Sequence, residues 1–311
     1  MKIGYPCINR TIDCKSGRTF RLKSYSETRL VATVKNNLDC LLRILQFNFD
    51  HHIMFFRITS DLIPFASHPV NQFNWIDFFE SSFREIGSFI RKHHMRISMH
   101  PDQFNIINAR DPEVFKRTVA ELEYHASVLD ALQLDITAKI QVHAGAVYGD
   151  KGESMKRFAE RYHQLPRTVR NRLVVENDDR LYQLSDCLNL SRETGVPVLF
   201  DSFHHSVNCS GQTLPEAMSA IAATWGPRDG LPMVDYSSQS PGGRPGNHAE
   251  SIDAEDFNLF LSETRDCDFD VMLEIKDKEV SALKAMGLIG NDPRLLSAPG
   301  NNTVDRIRFS Q

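Results

Sequence analysis

The sequence is short of several features that would have fixed its class at once. None of its six cysteines (Cys7, Cys14, Cys40, Cys187, Cys209 and Cys267) forms a CxxC pair, and their spacing is irregular. That argues against a zinc ribbon or a disulfide framework, and the expectation is free thiols in a reducing compartment. The N-terminus, MKIGYPCINR, lacks the roughly 7–15-residue apolar run of a signal peptide. No stretch reaches the ~18 consecutive apolar residues of a membrane span. A cytoplasmic protein without membrane partners is therefore expected. An excess of positive charge is missing too: 36 Lys and Arg face 40 Asp and Glu, for a net charge of −4. A protein that simply coats nucleic acid is usually basic. A locally basic groove around an acidic metal site remains compatible with this balance. There is no internal repeat, no low-complexity segment and no linker.

What is present is a regular alternation. Short apolar runs read as strands at Ile3–Cys7, Ile53–Ile58, Arg96–His100, Lys139–Ala144, Arg172–Asn177, Val196–Asp201, Leu231–Ser237 and Asp270–Ile275. Between them, helical periodicity covers Ser24–Asn48, Trp75–His93, Asp111–Gln133, Ser154–Gln164, Leu184–Thr194, Leu214–Thr224 and Ala254–Ser262. Nearly continuous apolar strands suit a parallel sheet covered by helices. Eight such units in 311 residues predict a (β/α)8 TIM barrel, which typically takes ~250 residues; an open doubly wound sheet is the alternative. Residues 1–290 are assigned to one barrel domain, and residues 291–311 to a C-terminal tail that packs on the surface or is loose.

The chemistry-bearing residues fall at the strand ends. They are His100, His143, Glu176, Asp201 with His204, Asp235, His248 in the following loop, and Glu274. A barrel gathers such positions at its C-terminal mouth, where sites of this fold lie. Taken singly, each has an ordinary explanation: a histidine satisfied by a carbonyl, or an acid capping the next helix. Jointly, imidazoles and carboxylates in one phase suit divalent ions, and buried unpaired carboxylates would be costly without a cation. Eight donors exceed one tetrahedral ion and suffice for two or three. Such a cluster points first to phosphodiester hydrolysis, and second to sugar isomerisation or epimerisation.

The segments GYPCIN (4–9), LIPFASHP (62–69), SMHPDQF (98–104), VENDDR (175–180), FDSFHH (200–205), SSQ (237–239), RPGNHA (244–249) and MLEIKDKE (272–279) resemble the UV damage endonuclease family, barrel relatives of endonuclease IV. The resemblance runs from about residue 2 to residue 280. It implies nicking of damaged double-stranded DNA by a monomer, 5′ to UV photoproducts and at other lesions such as abasic sites. It implies two or three divalent ions, manganese first, with zinc, cobalt or magnesium as alternatives. The implied metal ligands are His100, His143, Glu176, Asp201, His204, His248 and Glu274, to which the strand phase adds Asp235. Glu176, Glu274 and Asp235 are the catalytic candidates. Gln103 and Phe104 stand where the family has a lesion-probing Gln–Tyr pair, and Tyr5 and Asn9 resemble residues near the damaged nucleotides. Flipping a poorly stacked lesion is cheaper than flipping a normal pair, and a wedged side chain holds the kink open. Arg244 and Lys276, with Lys278, Arg180, Lys151 and Lys156, lie in loops near the mouth and are candidates to contact the DNA backbone.

One strand departs from the pattern. Met233 and Asp235 stand where the family resembles Lys-x-His. Methionine cannot become a carbamate, and its thioether is a poor ligand for manganese. The expectation is that Asp235 keeps the site's charge while its geometry changes. The departure also keeps open a catalytically weak damaged-DNA-binding protein of the same fold.

Overall fold

The computed structural model describes residues 1–290 and 292–295. Eight strands, β1 (Ile3–Pro6), β2 (Phe55–Ile58), β3 (Arg96–Met99), β4 (Lys139–His143), β5 (Leu173–Glu176), β6 (Val198–Asp201), β7 (Met233–Tyr236) and β8 (Asp270–Leu273), pair in chain order, and β8 returns to β1. Every pairing is parallel. The result is the closed (β/α)8 barrel that the alternation predicts.

The helices are α1 (Glu27–Asp50), α2 (Trp75–Phe78), α3 (Glu80–Lys92), α4 (Pro112–Ala131), α5 (Lys151–Gln164), α6 (Arg167–Arg170), α7 (Leu184–Thr194), α8 (Ser202–Val207), α9 (Leu214–Ala222), α10 (Ala254–Glu263) and α11 (Glu279–Ile289). Local chemistry sets their starts. Ser26, Asp111, Asp150 and Asp253 each accept a hydrogen bond from a first-turn backbone N–H, satisfying donors that a helix start leaves free. Pro112 sits where its missing N–H is harmless. No described helix is long and apolar enough to cross a membrane.

Strand alternation sorts the side chains into an outer and an inner set. Ile97, Met99, Ile140, Val142, Val175, Val198 and Phe200 face the helices and join the main core. The barrel interior holds a separate apolar layer of Phe55, Val174, Leu199, Met233 and Met272. Below that layer, Arg96 pairs with Asp270 at 3.2 Å and Lys139 with Asp229 at 2.6 Å. Above it lie the polar ends of the strands. Met233 is therefore a packing residue of the middle layer and lies below the mouth. Gly4 allows β1 and β2 to approach closely: a Cβ there would lie 2.3 Å from the Phe55 carbonyl oxygen.

One expectation is overturned. Cys14 and Cys40 form a disulfide, with Cα atoms 5.8 Å apart and a sequence separation of 26. It ties the loop after β1 to α1. Closing a loop of that length is worth about 3.5 kcal/mol in the chain-entropy account. Cys7, Cys187, Cys209 and Cys267 are free. Of the expected C-terminal tail, residues 291 and 296–311 lie outside the described residues. At residues 292–295, Arg294 donates to the carbonyls of Leu261, Thr264 and Cys267, so this stretch packs on the barrel.

Candidate metal centre

Register brings the donors together. His143 is the lateral partner of Glu176, and Asp201 that of Asp235. Neighbours across a parallel pair point to the same face, so these side chains share the barrel mouth. Three overlapping groups result: His100, His143 and Glu176; Glu176, Asp201 and His204; and Asp201, Asp235 and Glu274. In each, the donor atoms lie within 4.8 Å of one another. Glu176 belongs to the first two groups and Asp201 to the last two. His248 stands beside the cluster, its ring 6.1 Å from that of His204.

The chain builds α8 to present two of these donors. Asp201 ends β6 and also caps α8, its Oδ1 accepting from the His204 N–H at 2.7 Å. That places His204 one turn later with its ring back over Glu176. Its Nδ1 is 3.0 Å from the Asn177 carbonyl, 3.3 Å from Glu176 and 3.3 Å from Asp201. The His248 Nδ1 lies 2.8 Å from the Glu274 carbonyl. Donation from Nδ1 to a carbonyl aims the opposite ring nitrogen, Nε2, away from the backbone, where it becomes the ligating atom once the ring gives up its second proton.

Electrostatics divide the cluster. Burial lowers the His100 pKa to about 4, so this ring is neutral and ready to ligate. Burial opposes ionisation of Glu176, but His143, His204 and His100 outweigh it and hold the carboxyl well below its usual range. Burial also raises Asp201 to about 8, against the pull of His204. His204 is raised to about 11, because Asp201 and Glu176 outweigh its own desolvation. Buried His100 Nδ1, His143 Nδ1 and Asp201 Oδ2 have no hydrogen-bond partner. Unpartnered polar atoms at this depth are costly. The first two groups, imidazoles gathered around one shared buried carboxylate, have the donor chemistry of a divalent-ion site.

The third group is built differently, around a residue that the sequence reading missed. Arg57, on β2, puts its guanidinium inside the carboxylate cluster. It donates to Asp235 at 2.7 Å, to Gln141 at 2.7 Å and to Glu274. Gln141 in turn donates to Asp235 at 2.7 Å and to Glu176. Asp235 is fully buried; burial pushes its carboxyl up, and Arg57 opposes this. Glu274 is lowered to about 2 despite its burial, because Arg57 faces it. The negative charge of this group is thus met by a fixed cation of the chain itself.

Above the cluster opens a cavity of about 770 Å³, with His100, His143 and Glu274 on its floor and Gln103, Phe104 and Lys278 on its rim. Phe104 is 76% exposed, unusual for a large apolar side chain without a partner. Its loop is short and anchored. Pro101, Ile107 and Asn108 are buried on either side of the exposed tip. Asn108 binds the Ala146 N–H and carbonyl and the Tyr182 hydroxyl. Gly145 makes room for it, since a Cβ there would lie 2.3 Å from Asn108 Oδ1. Lys278 has a left-handed φ of 57°, strain of the kind that clusters at functional sites.

Tyr5 and Asn9 are not at this surface. The Tyr5 hydroxyl donates to Asn48 at 2.6 Å and accepts from Asn9 at 2.9 Å, and both side chains are buried. Asn9 also caps the turn at Thr11 and Ile12. Among the cations expected near the mouth, Lys276 faces Glu250 at 3.5 Å, Arg180 faces Asp179 at 3.1 Å and Lys151 faces Asp186 at 2.8 Å. Arg244 lies exposed in the loop before His248.

A family model for UV-endonuclease UvdE matches residues 1–294. The chain belongs to this family. A UV DNA damage endonuclease of Clostridium perfringens (strain 13 / Type A) is 37% identical over 290 residues, covering 92% of this chain and 70% of that protein. One from Bacillus cereus (strain G9842) is 32% identical over 294 residues, covering 91% and 93%. The solved structure of SacUVDE superposes with a TM-score of 0.90 at 43% identity, covering 95% of this chain and all of the other. Endonuclease IV from Thermus thermophilus (TM-score 0.54, 15% identity) covers 80% of this chain and 94% of its own, and shares the fold. UvdE membership makes the chain an endonuclease of DNA repair.

Proposed function

We propose that this UvdE member is a metal-dependent endonuclease that nicks double-stranded DNA 5′ to UV photoproducts, and also opens abasic sites. The observation that carries the reading is Glu176. One buried carboxylate joins two histidine-containing donor groups directly beneath a cavity rimmed by an exposed phenylalanine. His100, His143, Glu176, Asp201 and His204 would hold two divalent ions, with His248 and Glu274 at their margin. Nitrogen and carboxylate donors without thiolate favour manganese, with zinc, cobalt or magnesium as alternatives. Ions bound there supply Lewis-acid polarisation of a phosphate and a water of lowered pKa.

The chain's own groups do the rest. Phe104 and Gln103 enter the duplex where stacking is already weak, so the lesion is the place that opens. Glu274, an ionised carboxylate at the cavity floor, orients the attacking water by accepting a hydrogen bond from it. Asp235 and Gln141 hold Arg57, which keeps Glu274 in place. Lys278 faces the cavity and meets a phosphate oxygen.

The test is a nicking assay on a duplex bearing one cyclobutane dimer, with manganese or with chelator, run on the monomeric fraction. Manganese-dependent cleavage immediately 5′ to the dimer is expected. Retention of the duplex without cleavage, with metal bound, would overturn the catalytic reading and leave a damage-binding protein.

A further inference from the structure

A concentrated cationic segment lies outside the loops discussed above. Residues 10–29, the connection from β1 into α1, contain Arg10, Lys15, Arg18, Arg21, Lys23 and Arg29 against only Asp13 and Glu27. That is a local charge of +4 in a chain whose total is −4. All six cations are exposed. None is in an ion pair among the described residues. The cations after β4, β5 and β8 contrast with them, since Lys151, Arg180 and Lys276 each face an acid.

The segment is also held in place. The Arg10 N–H and the Thr11 hydroxyl donate to buried Glu279. Ser16 is buried and donates to the Cys7 carbonyl, at the wall of the cavity. Asn37 clamps Arg18 from both sides, accepting from its N–H and donating to its carbonyl, each at 3.0 Å. The Cys14–Cys40 disulfide fixes the middle. Phe20 packs on Phe65, in the loop after β2. Like charges in a short loop repel one another, and fixing that loop forgoes the relief that spreading out would give. The arrangement is favourable when a polyanion supplies the missing counter-charge.

We propose that residues 10–29 form a strap that grips the phosphodiester backbone of the duplex beside the lesion. The inference rests on the DNA-nicking reading above and adds where the undamaged flank lies. The segment leaves the cavity wall at Cys7, and the eight residues to Lys15 reach at most ~28 Å. At ~3.4 Å per nucleotide along one strand, the strap meets phosphates up to about eight nucleotides from the cut. It gives an acidic protein a local hold on a polyanion: these exposed cations lie together to one side of the metal centre.

The experiment replaces Lys15, Arg18, Arg21 and Lys23 together with Gln, all exposed loop positions outside the metal centre. The control replaces Lys92, Arg167 and Arg228 with Gln at the opposite end of the barrel. Far-UV circular dichroism and Tm verify the fold, and Lys15→Gln with Lys23→Gln alone serves as the milder variant. Binding to the dimer duplex is measured from 50 to 300 mM salt with calcium in place of manganese, and single-turnover nicking at saturating enzyme. The strap variant is expected to lose about 3 to 4 from the slope of log K against log salt, and to weaken binding at 150 mM salt about 100-fold. The double variant should lose about half that slope, with the nicking rate unchanged in both. Wild-type slope and affinity in the strap variants, or an equal loss in the control, would overturn the strap and leave the nuclease reading standing. A wild-type protein that neither binds nor cuts the dimer duplex would overturn both.

Discussion

At the N-terminal end of the barrel interior, Arg96 meets Asp270 and Lys139 meets Asp229, so each buried charge has an opposite partner. At the C-terminal end, Asp235 and Glu274 share one arginine, Glu176 and Asp201 share one histidine, and His100, His143, Asp201 and Asp235 each leave a buried polar atom without a partner. The two ends lie on the same strands and are separated by one apolar layer. Burial of charge is therefore no mark of function in itself. The lower set is saturated in charge, with only the Arg96 Nε left without a partner, and closes the barrel. The upper set is left incomplete, and incompleteness at that depth is sustained only where something else completes it.

The largest effect should follow from removing the shared carboxylate. Glu176→Gln is expected to lower the nicking rate by about 10³-fold or more and to reduce bound manganese, read by elemental analysis. The chelator-treated variant should keep its Tm to within about 4 °C. A variant that retains its metal and activity would place Glu176 with the saturated end instead. The converse change, Arg96→Met, removes the opposite charge from Asp270 and leaves it only the Lys2 backbone N–H. It should cost about 3–5 kcal/mol in urea unfolding, with the nicking rate per folded molecule unchanged. A lost rate at full stability would erase the distinction between the ends.

Smaller effects sharpen the contrast at the mouth. Phe104→Ala removes a stacking surface worth about 1–3 kcal/mol. Affinity for the dimer duplex should fall by about 10-fold or more, while affinity for undamaged duplex stays the same. The smallest is a pH effect. His204, raised to about 11, and Asp201, raised to about 8, hold protons near neutrality in the metal-free protein. Ligation requires their loss, so manganese uptake releases about one to two protons and tightens by about tenfold for each proton per pH unit between pH 6 and 7. Calorimetry in buffers of different ionisation enthalpy measures the release. His100, already neutral at about 4, contributes nothing to it.

The barrel was legible because its strands are short apolar runs bounded by polar strand ends, and a parallel sheet covered by helices demands such runs. α8 and α11 were not read: FDSFHHSV looks like a polar exit from a strand until Asp201 is seen to cap it. The donor set was legible for the same reason as the strands, since alternation puts residues of one phase on one face. Arg57 and Gln141 carried a signal that went unused, a charged or amide side chain at an inward position within the apolar runs IMFFRI and KIQVH. The Cys14–Cys40 bond had no such signal, because its partners meet only once the loop after β1 folds back along α1. Motif position set Tyr5 and Asn9 together in the sequence, but it carried no sign that they join Asn48 in one buried hydrogen-bond chain.

The loop that carries Phe104 is five residues of tip, from Asp102 to Ile106, between buried anchors at Pro101 and Ile107, with Asn108 stitched to the neighbouring loop. Such a loop can turn its side chains but cannot travel, and little order is left for it to lose on contact. A long, mobile probe would fold itself around whatever it touched and so would accept healthy DNA. On the proposed reading, a short, tethered one would make the duplex do the bending, and would admit only a duplex already weak enough to bend.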